Sequence, residues 1–274
     1  MMIKEIRAWD EYINFINSFM EDESFSDPHM VYSQDNLWKA LGGKDQKVYA
    51  VLQGDQLFGI FVLMILKDDQ YIEMIAALSR ERKAYLEILD FMEENYADYK
   101  ADFVFNPKNH VLKAVLEEKS ARIDPEQMVM SLEKELPYEK NQAIQLLSDE
   151  YVEQYVTIHS KDVYWTGDKV IKASNLFRVF LALKDNEVIG YVDVSYGPKG
   201  SEVYDLFVKE QYEFQEYGQL LLAEAIEANK PDKMDVFLEV CDTKSITLYE
   251  SLGFEPVKGH NSVYASYKLG EAHE

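Results

Sequence analysis

The chain has 274 residues, a formal net charge of −22 from 28 Lys and Arg against 50 Asp and Glu, and 47% hydrophobic residues that include 19 Tyr, 14 Phe and 3 Trp. That composition excludes a disordered chain, and the length suits one large domain or two ordinary ones. The acidity argues against a nucleic-acid partner, because phosphate backbones are bound by clustered cations, and the single cysteine, Cys241, permits neither an internal disulfide nor a zinc cluster built from cysteines.

The start of the chain, Met1 to Arg7, alternates charged and apolar residues and lacks the apolar core and cleavage site of a signal peptide. A helical pattern opens at Asp10-Glu11-Tyr12 and carries Tyr12, Ile13, Ile16 and Phe19 on one face. Val48 to Gly59 then reads as strand, polar turn and strand around Gln53-Gly54-Asp55-Gln56. Its second strand begins the longest apolar run, Leu57 to Leu66, which is about half a bilayer span. A soluble, cytoplasmic protein with no membrane partner is therefore expected. A strand at Tyr71 to Ala76, a helix at Ala84 to Met92, a strand at Phe103 to Phe105, a helix at Val111 to Glu118 and a closing strand at Gln127 to Leu132 follow.

The same order then recurs. Asp149-Glu150-Tyr151 opens a helix, and Val179 to Gly190 lies ungapped over Val48 to Gly59, with Lys184-Asp185-Asn186-Glu187 as its turn. A strand at Val203 to Val208, a helix at Gln219 to Asn229, a strand at Val236 to Val240, a helix at Ser245 to Leu252 and a closing strand at Ser262 to Leu269 complete the second copy. Two α/β domains are expected, 1–137 and 138–274, joined near Pro137 and each built on a mixed, mostly antiparallel sheet flanked by helices.

Leu248-Tyr249-Glu250-Ser251-Leu252-Gly253-Phe254 carries a resemblance. It is similar to the Leu-Tyr-Glu-x-x-Gly-Phe closing motif of the GNAT N-acetyltransferases, and the whole chain resembles a tandem GNAT protein. The resemblance implies acetyl-CoA as co-substrate, held where the strand Phe237 to Val240 splays from its neighbour, and a primary amine of a small molecule as acceptor, attacking directly in a ternary complex. Tyr249 inherits the role of general acid toward the leaving thiolate. Asp242 stands where the family has Asn, and Ser245 follows it in the same helix start.

The family's phosphate loop is less well kept. It would follow Leu206-Phe207-Val208, and an ungapped reading puts Gly218 at the final small position, Glu216 in place of a glycine and Glu213 in place of Arg or Gln. Tyr217 and Gln219 flank that glycine at the start of the helix, where backbone N–H groups would cradle a pyrophosphate. Aligned with gaps, Gln215 and Gly218 become the leading pair instead. The first copy has no glycine between Gly59 and Gly167, and Leu116 and Ser120 stand where the motif tyrosine and glycine would be, so that copy reads as degenerate. Asn109 keeps the family's Asn.

For the amine's proton the candidates are Glu202 and Asp205. They are three apart, and plain strand alternation would put them on opposite faces. Tyr164 and Trp165 would form an aromatic wall for the acceptor, and Glu239 and Asp193 are further strand acids able to attract a cation. The five histidines show no metal-ligand spacing, so no metal is expected. A non-catalytic binding or interaction module is the alternative reading, and a transferase using another acyl donor is a third. Oligomeric state is left open.

Overall fold

The turns of the two repeated hairpins show why the repeat folds as it does. Asp185 and Asn186 take φ of +51° and +64°, the doubly left-handed turn that matches strand twist and that Asp and Asn tolerate. At the equivalent Gly190 a Cβ would lie 2.6 Å from the Phe207 carbonyl oxygen, so only glycine lets the strands meet there. The structure is a computed structural model; it describes residues 1–270 except 21, 135, 162, 198–199, 213–215 and 231–232.

In chain order the first elements are β1 (Met2–Glu5), α1 (Ile13–Met20), α2 (Pro28–Tyr32), α3 (Asp35–Trp38), β2 (Gln46–Gln53), β3 (Gln56–Leu66), β4 (Tyr71–Leu78), α4 (Arg82–Asn95), β5 (Lys100–Phe105), α5 (His110–Glu118) and β6 (Arg122–Ile123). Then come β7 (Gln127–Leu132), β8 (Ile144–Leu146), α6 (Val152–Ile158), α7 (Gly167–Lys172), β9 (Phe177–Lys184), β10 (Glu187–Gly197), β11 (Gly200–Val208), α8 (Tyr217–Asn229), β12 (Met234–Glu239), α9 (Thr243–Ser251), β13 (Phe254–Pro256) and β14 (Val263–Lys268). They form two seven-stranded sheets, ordered β1-β2-β3-β4-β5-β14-β6 and β13-β7-β12-β11-β10-β9-β8. Each contains a parallel pair, β4 with β5 and β11 with β12.

The closing strands are exchanged. β14 pairs antiparallel with β5 of the first sheet, and β7 lies in the second sheet beside β13 and β12. The compact units are therefore Met1–Gln127 with Lys258–Glu274, and Met128–Val257. A division at Pro137, as the repeat suggested, would strip β7 from the second unit and assign β14 to the wrong sheet. The reason is physical: both segments are six-residue strands of the same apolar character, so their pattern fits either sheet.

In the second unit, the core on one face joins Val192, Val194 and Val203 to Leu221, Leu222 and Ala225 of α8. Burying each of those leucines contributes roughly 2 kcal/mol. On the other face Val179, Leu181 and Tyr191 pack with Tyr155 of α6 and Val170 of α7. A bulge interrupts the β10–β11 ladder: Asp205 pairs with Asp193 and Val203 with Val194, which leaves Tyr204 as the extra residue. Two successive residues then share a face, and Glu202 and Asp205, expected on opposite faces, lie on the same one.

Candidate active site

β11 and β12 stay paired only from Ser201–Met234 to Val203–Val236. Beyond that point β11 runs on to Val208 and β12 to Glu239, and a cleft of about 590 Å³ opens in the second unit. Leu206 and Val208 line it from β11, Glu216, Gly218 and Gln219 from the start of α8, and Asp242 and Ser245 from the start of α9. All seven belong to the set that the sequence assigned to the cofactor. Lys244, Thr247, Leu248 and Ser251 complete the lining; the closing motif marked Leu248 and Ser251, whereas nothing in the motif pointed to Lys244.

Each wall has a local cause. Asp242 caps α9, its carboxylate accepting from the Ser245 N–H at 3.0 Å and the Ser245 hydroxyl at 2.6 Å, and these bonds hold its pKa below the ordinary carboxylate value. Gly253 ends that helix at φ +93°, where a Cβ would fall 2.3 Å from the Lys134 carbonyl oxygen, so the motif's glycine is required by the exit of β7. At the start of α8, Glu216 holds a left-handed φ of +60°. A Cβ on the following Gly218 would meet nothing nearer than Leu248 Cδ2 at 3.5 Å, so that glycine answers no packing demand of the fold and leaves open room on the cleft side. The positive end of the α8 dipole lies at that wall and would favour an anion.

The catalytic candidates separate in depth. Tyr249 is buried on α9 with its ring edge-on to Phe254, and burial followed by the charges of Asp205 and Asp242 raises its pKa, so it stays a phenol and a proton donor. Asp205 lies in the splayed part of β11 and accepts the Tyr191 hydroxyl at 2.6 Å. Glu202 lies within the paired part, opposite Asp235, and burial together with the Asp235 charge raises its pKa. Asp235 itself accepts the Ser131 hydroxyl from the exchanged strand β7 at 2.6 Å.

Residues 175–256 match the family model described as the acetyltransferase (GNAT) domain. That stretch is similar to the GNAT family. The match lies wholly inside the second unit. Among solved structures, a tandem GNAT protein from the clavulanic acid biosynthesis pathway, determined without AcCoA, is 12% identical with a TM-score of 0.52 and covers 99% of each chain. A GCN5-related N-acetyltransferase from Sphaerobacter thermophilus is 11% identical with a TM-score of 0.57, over 83% of this chain and 81% of that one. A GNAT-family acetyltransferase from Colwellia psychrerythraea is 12% identical with a TM-score of 0.51, over 98% and 100%. No curated protein sequence matches significantly. At these identities the likeness is one of fold, and the chain has the tandem GNAT architecture.

Some assigned residues of the second unit stand outside the cleft. Phe207 points to the opposite face and packs on Tyr191 with ring centroids 5.7 Å apart, as strand alternation from Leu206 requires. Tyr217 packs edge-on to Tyr212. Glu213 and Gln215 lie outside the described residues. Tyr164 is 73% exposed beneath the Lys169 ammonium and meets Trp165 edge-on with ring centroids 5.4 Å apart, while Trp165 packs on Phe177 and donates its backbone N–H to the Tyr204 hydroxyl. Glu239 is exposed at the end of β12 and accepts from the Cys241 thiol.

The sequence reading also passed over a buried set beside Asp205. His159 Nε2 lies 2.9 Å from Asp193 Oδ2 and 3.8 Å from Asp205 Oδ2, and its ring stacks on Tyr191 at 4.9 Å. In the sequence His159 is only one of five histidines without metal-ligand spacing, and Asp193 only a strand acid. Among the described residues no helix is long and apolar enough to cross a membrane, and no cluster of His, Cys, Asp and Glu could hold a metal ion.

Proposed function

We propose that the chain is an N-acetyltransferase that uses acetyl-CoA and a primary amine of a small molecule, with its chemistry in the second unit and its place in the cytoplasm. The observation that carries this reading is the open split between β11 and β12, whose lining coincides with the residues expected to take the cofactor. Acetyl-CoA would supply an activated acyl carbon and a thiolate leaving group. The free edge of Leu206 to Val208 offers strand N–H and C=O groups to an amide-rich arm, much as an added strand would use them. Gly218 and Gln219 would present the α8 N-terminus to the pyrophosphate, and Lys244 across the cleft supplies a cation.

Tyr249 would protonate the thiolate, and either Glu202 or Asp205 would take the proton of the attacking amine. Glu216 works against the phosphates: at about 4 Å, like charges cost about 1 kcal/mol in water. Calorimetric titration of acetyl-CoA tests the reading. Micromolar binding at one molecule per chain is expected, tightened about fivefold by Glu216→Gln. Tyr249→Phe should keep that binding and lose acetyl transfer in a screen of primary amines. No heat up to millimolar acetyl-CoA would overturn the reading and leave a non-catalytic module.

A further inference from the structure

We propose that Asp205 is the carboxylate that receives the acceptor as a primary alkylammonium ion, and that Tyr191 and His159 are positioning residues that hold Asp205 for that task. The inference rests on the transferase reading and adds the charge state of the acceptor and the residues that select it. It begins with the bulge at Tyr204, which sets Asp205 beside Asp193 on the face covered by α6. The two carboxylates differ in access: the Asp193 side chain is fully buried, whereas that of Asp205 is 24% exposed.

Between them lies His159, whose side chain is 1% exposed. Its Nδ1 is 2.9 Å from the Ser160 carbonyl oxygen, which only accepts, so Nδ1 carries a proton. Its Nε2 faces Asp193 at 2.9 Å and Asp205 at 3.8 Å, and a lone pair there would confront two carboxylates. A second proton on Nε2 gives the ring the positive charge of an imidazolium, in competition with Asp193, whose own pKa burial raises. Burial works against that charge, but the bonds to Asp193 and Ser160 and the nearby carboxylates hold the His159 pKa above its ordinary value. Asp193 Oδ2 takes a second bond from the Tyr155 hydroxyl at 2.7 Å, which fixes the pair to α6.

Both contacts on Asp205, from Tyr191 at 2.6 Å and from His159, fall on Oδ2. One oxygen is thus anchored to the fold on a side chain that reaches solvent two residues past the last β11–β12 pair. Glu202 lacks this support: it sits in the closed part of the ladder beside another carboxylate.

The chemistry follows. An alkylammonium bound to Asp205 gives one N–H proton to the carboxylate and becomes a neutral amine, whose lone pair forms the C–N bond as the C–S bond breaks. The second nitrogen proton leaves after the C–N bond has formed. Tyr249 gives its proton to the thiolate and is reprotonated, so one proton ends on the thiol and the other leaves through Asp205 to water. An arylamine, uncharged at neutral pH, would lack the charge pairing that binds an alkylammonium to this carboxylate before reaction.

The test has two arms. In the first, n-butylammonium is titrated into the full-length protein without acetyl-CoA while the Asp205 side-chain carboxyl carbon is followed by NMR. A saturable shift is expected, absent in Asp205→Asn and absent with aniline; no saturable shift overturns the inference whatever the activity. In the second arm, thiol release with alkylamines is measured after calorimetry has shown acetyl-CoA affinity within twofold of wild type in every variant. Asp205→Asn should lose at least 100-fold in kcat/KM.

Tyr191→Phe and His159→Gln should lose about 10-fold in kcat/KM and should weaken the n-butylammonium affinity read at Asp205 by about 10-fold. Each removes a neighbour of Asp205 Oδ2. A merely structural role would leave that ammonium affinity in place. Wild-type rates in Asp205→Asn, with the whole loss in Glu202→Gln, would overturn the assignment. Acetyl-CoA binding without transfer to any amine by the wild type, beside a positive first arm, would overturn the transferase reading and keep the ammonium site.

Discussion

The two units carry the same sheet with the same split, yet one split is open and the other is filled by its own chain. In the first unit β4 and β5 pair from Tyr71–Lys100 to Met74–Phe103 and then part, as β11 and β12 do. Across that gap runs the segment before α2: Asp27 Oδ2 accepts the Ala77 N–H at 3.0 Å, and Asn106 just past β5 donates to the Ser26 hydroxyl at 3.1 Å. Ala77 lies two residues past the β4 bulge, as Leu206 does past the bulge of β11. A carboxylate from within thus meets the strand amide that in the second unit faces the cleft. The comparison shows how a repeat can fill its split without losing its sheet. The unpaired edge must be satisfied, and an internal side chain serves.

The largest test of the comparison is dissection. Residues 128–257 should fold cooperatively and keep acetyl-CoA binding, whereas residues 138–274, lacking β7, should show no cooperative melt by circular dichroism. Next is the plug. Asp27→Ala removes the partner of a buried amide and the cap of α2, and should cost about 2 to 4 kcal/mol in denaturant unfolding. If the variant instead gained a second acetyl-CoA equivalent at little cost, the first split would be a latent site.

The helix caps that the units share allow a smaller comparison. Asn109 is buried, accepts the Leu112 N–H at 3.0 Å and donates to Tyr85, while Asp242 is exposed and serves only its own turn. Alanine at 109 should cost about 2 kcal/mol and at 242 about 1 kcal/mol; equal costs would deny the difference in burial. A further test is a pH dependence in the first unit. Burial alone would lower the pKa of His29, but hydrogen bonds to Asp27 and Glu73 outweigh it and push it up to about 10. With the folded value raised, the His29 contribution is complete below the unfolded value of about 6.5 and is lost as pH rises toward the folded one. Thermal midpoints of the wild type should fall across that window more steeply than those of His29→Gln.

Much of this was legible in the chain. The hairpins at Val48 to Gly59 and Val179 to Gly190, the Tyr249-to-Phe254 motif and the Asn109 and Asp242 caps all rest on local spacing, and local spacing survives folding. Three features did not show because they are not local. The exchange of β7 and β14 is invisible to a pattern that either sheet would accept. The bulge at Tyr204 breaks the period-2 rule that had put Glu202 and Asp205 on opposite faces. His159 joins Asp193 only through the packing of α6 on β10. The plug had a signal that passed unread: Asp27-Pro28 is an N-cap followed by a proline in the first turn.

The exchanged strand also orders events during synthesis. Residues of the second unit are contiguous, so β7 through β13 can assemble as soon as they leave the ribosome, while β5 waits with a bare edge for Ala101 to meet Tyr267. An unpaired edge held open that long invites pairing with other chains. The half of the protein translated first is the half completed last, and any stall or truncation near the C-terminus will expose the first sheet while leaving the cleft-bearing unit intact.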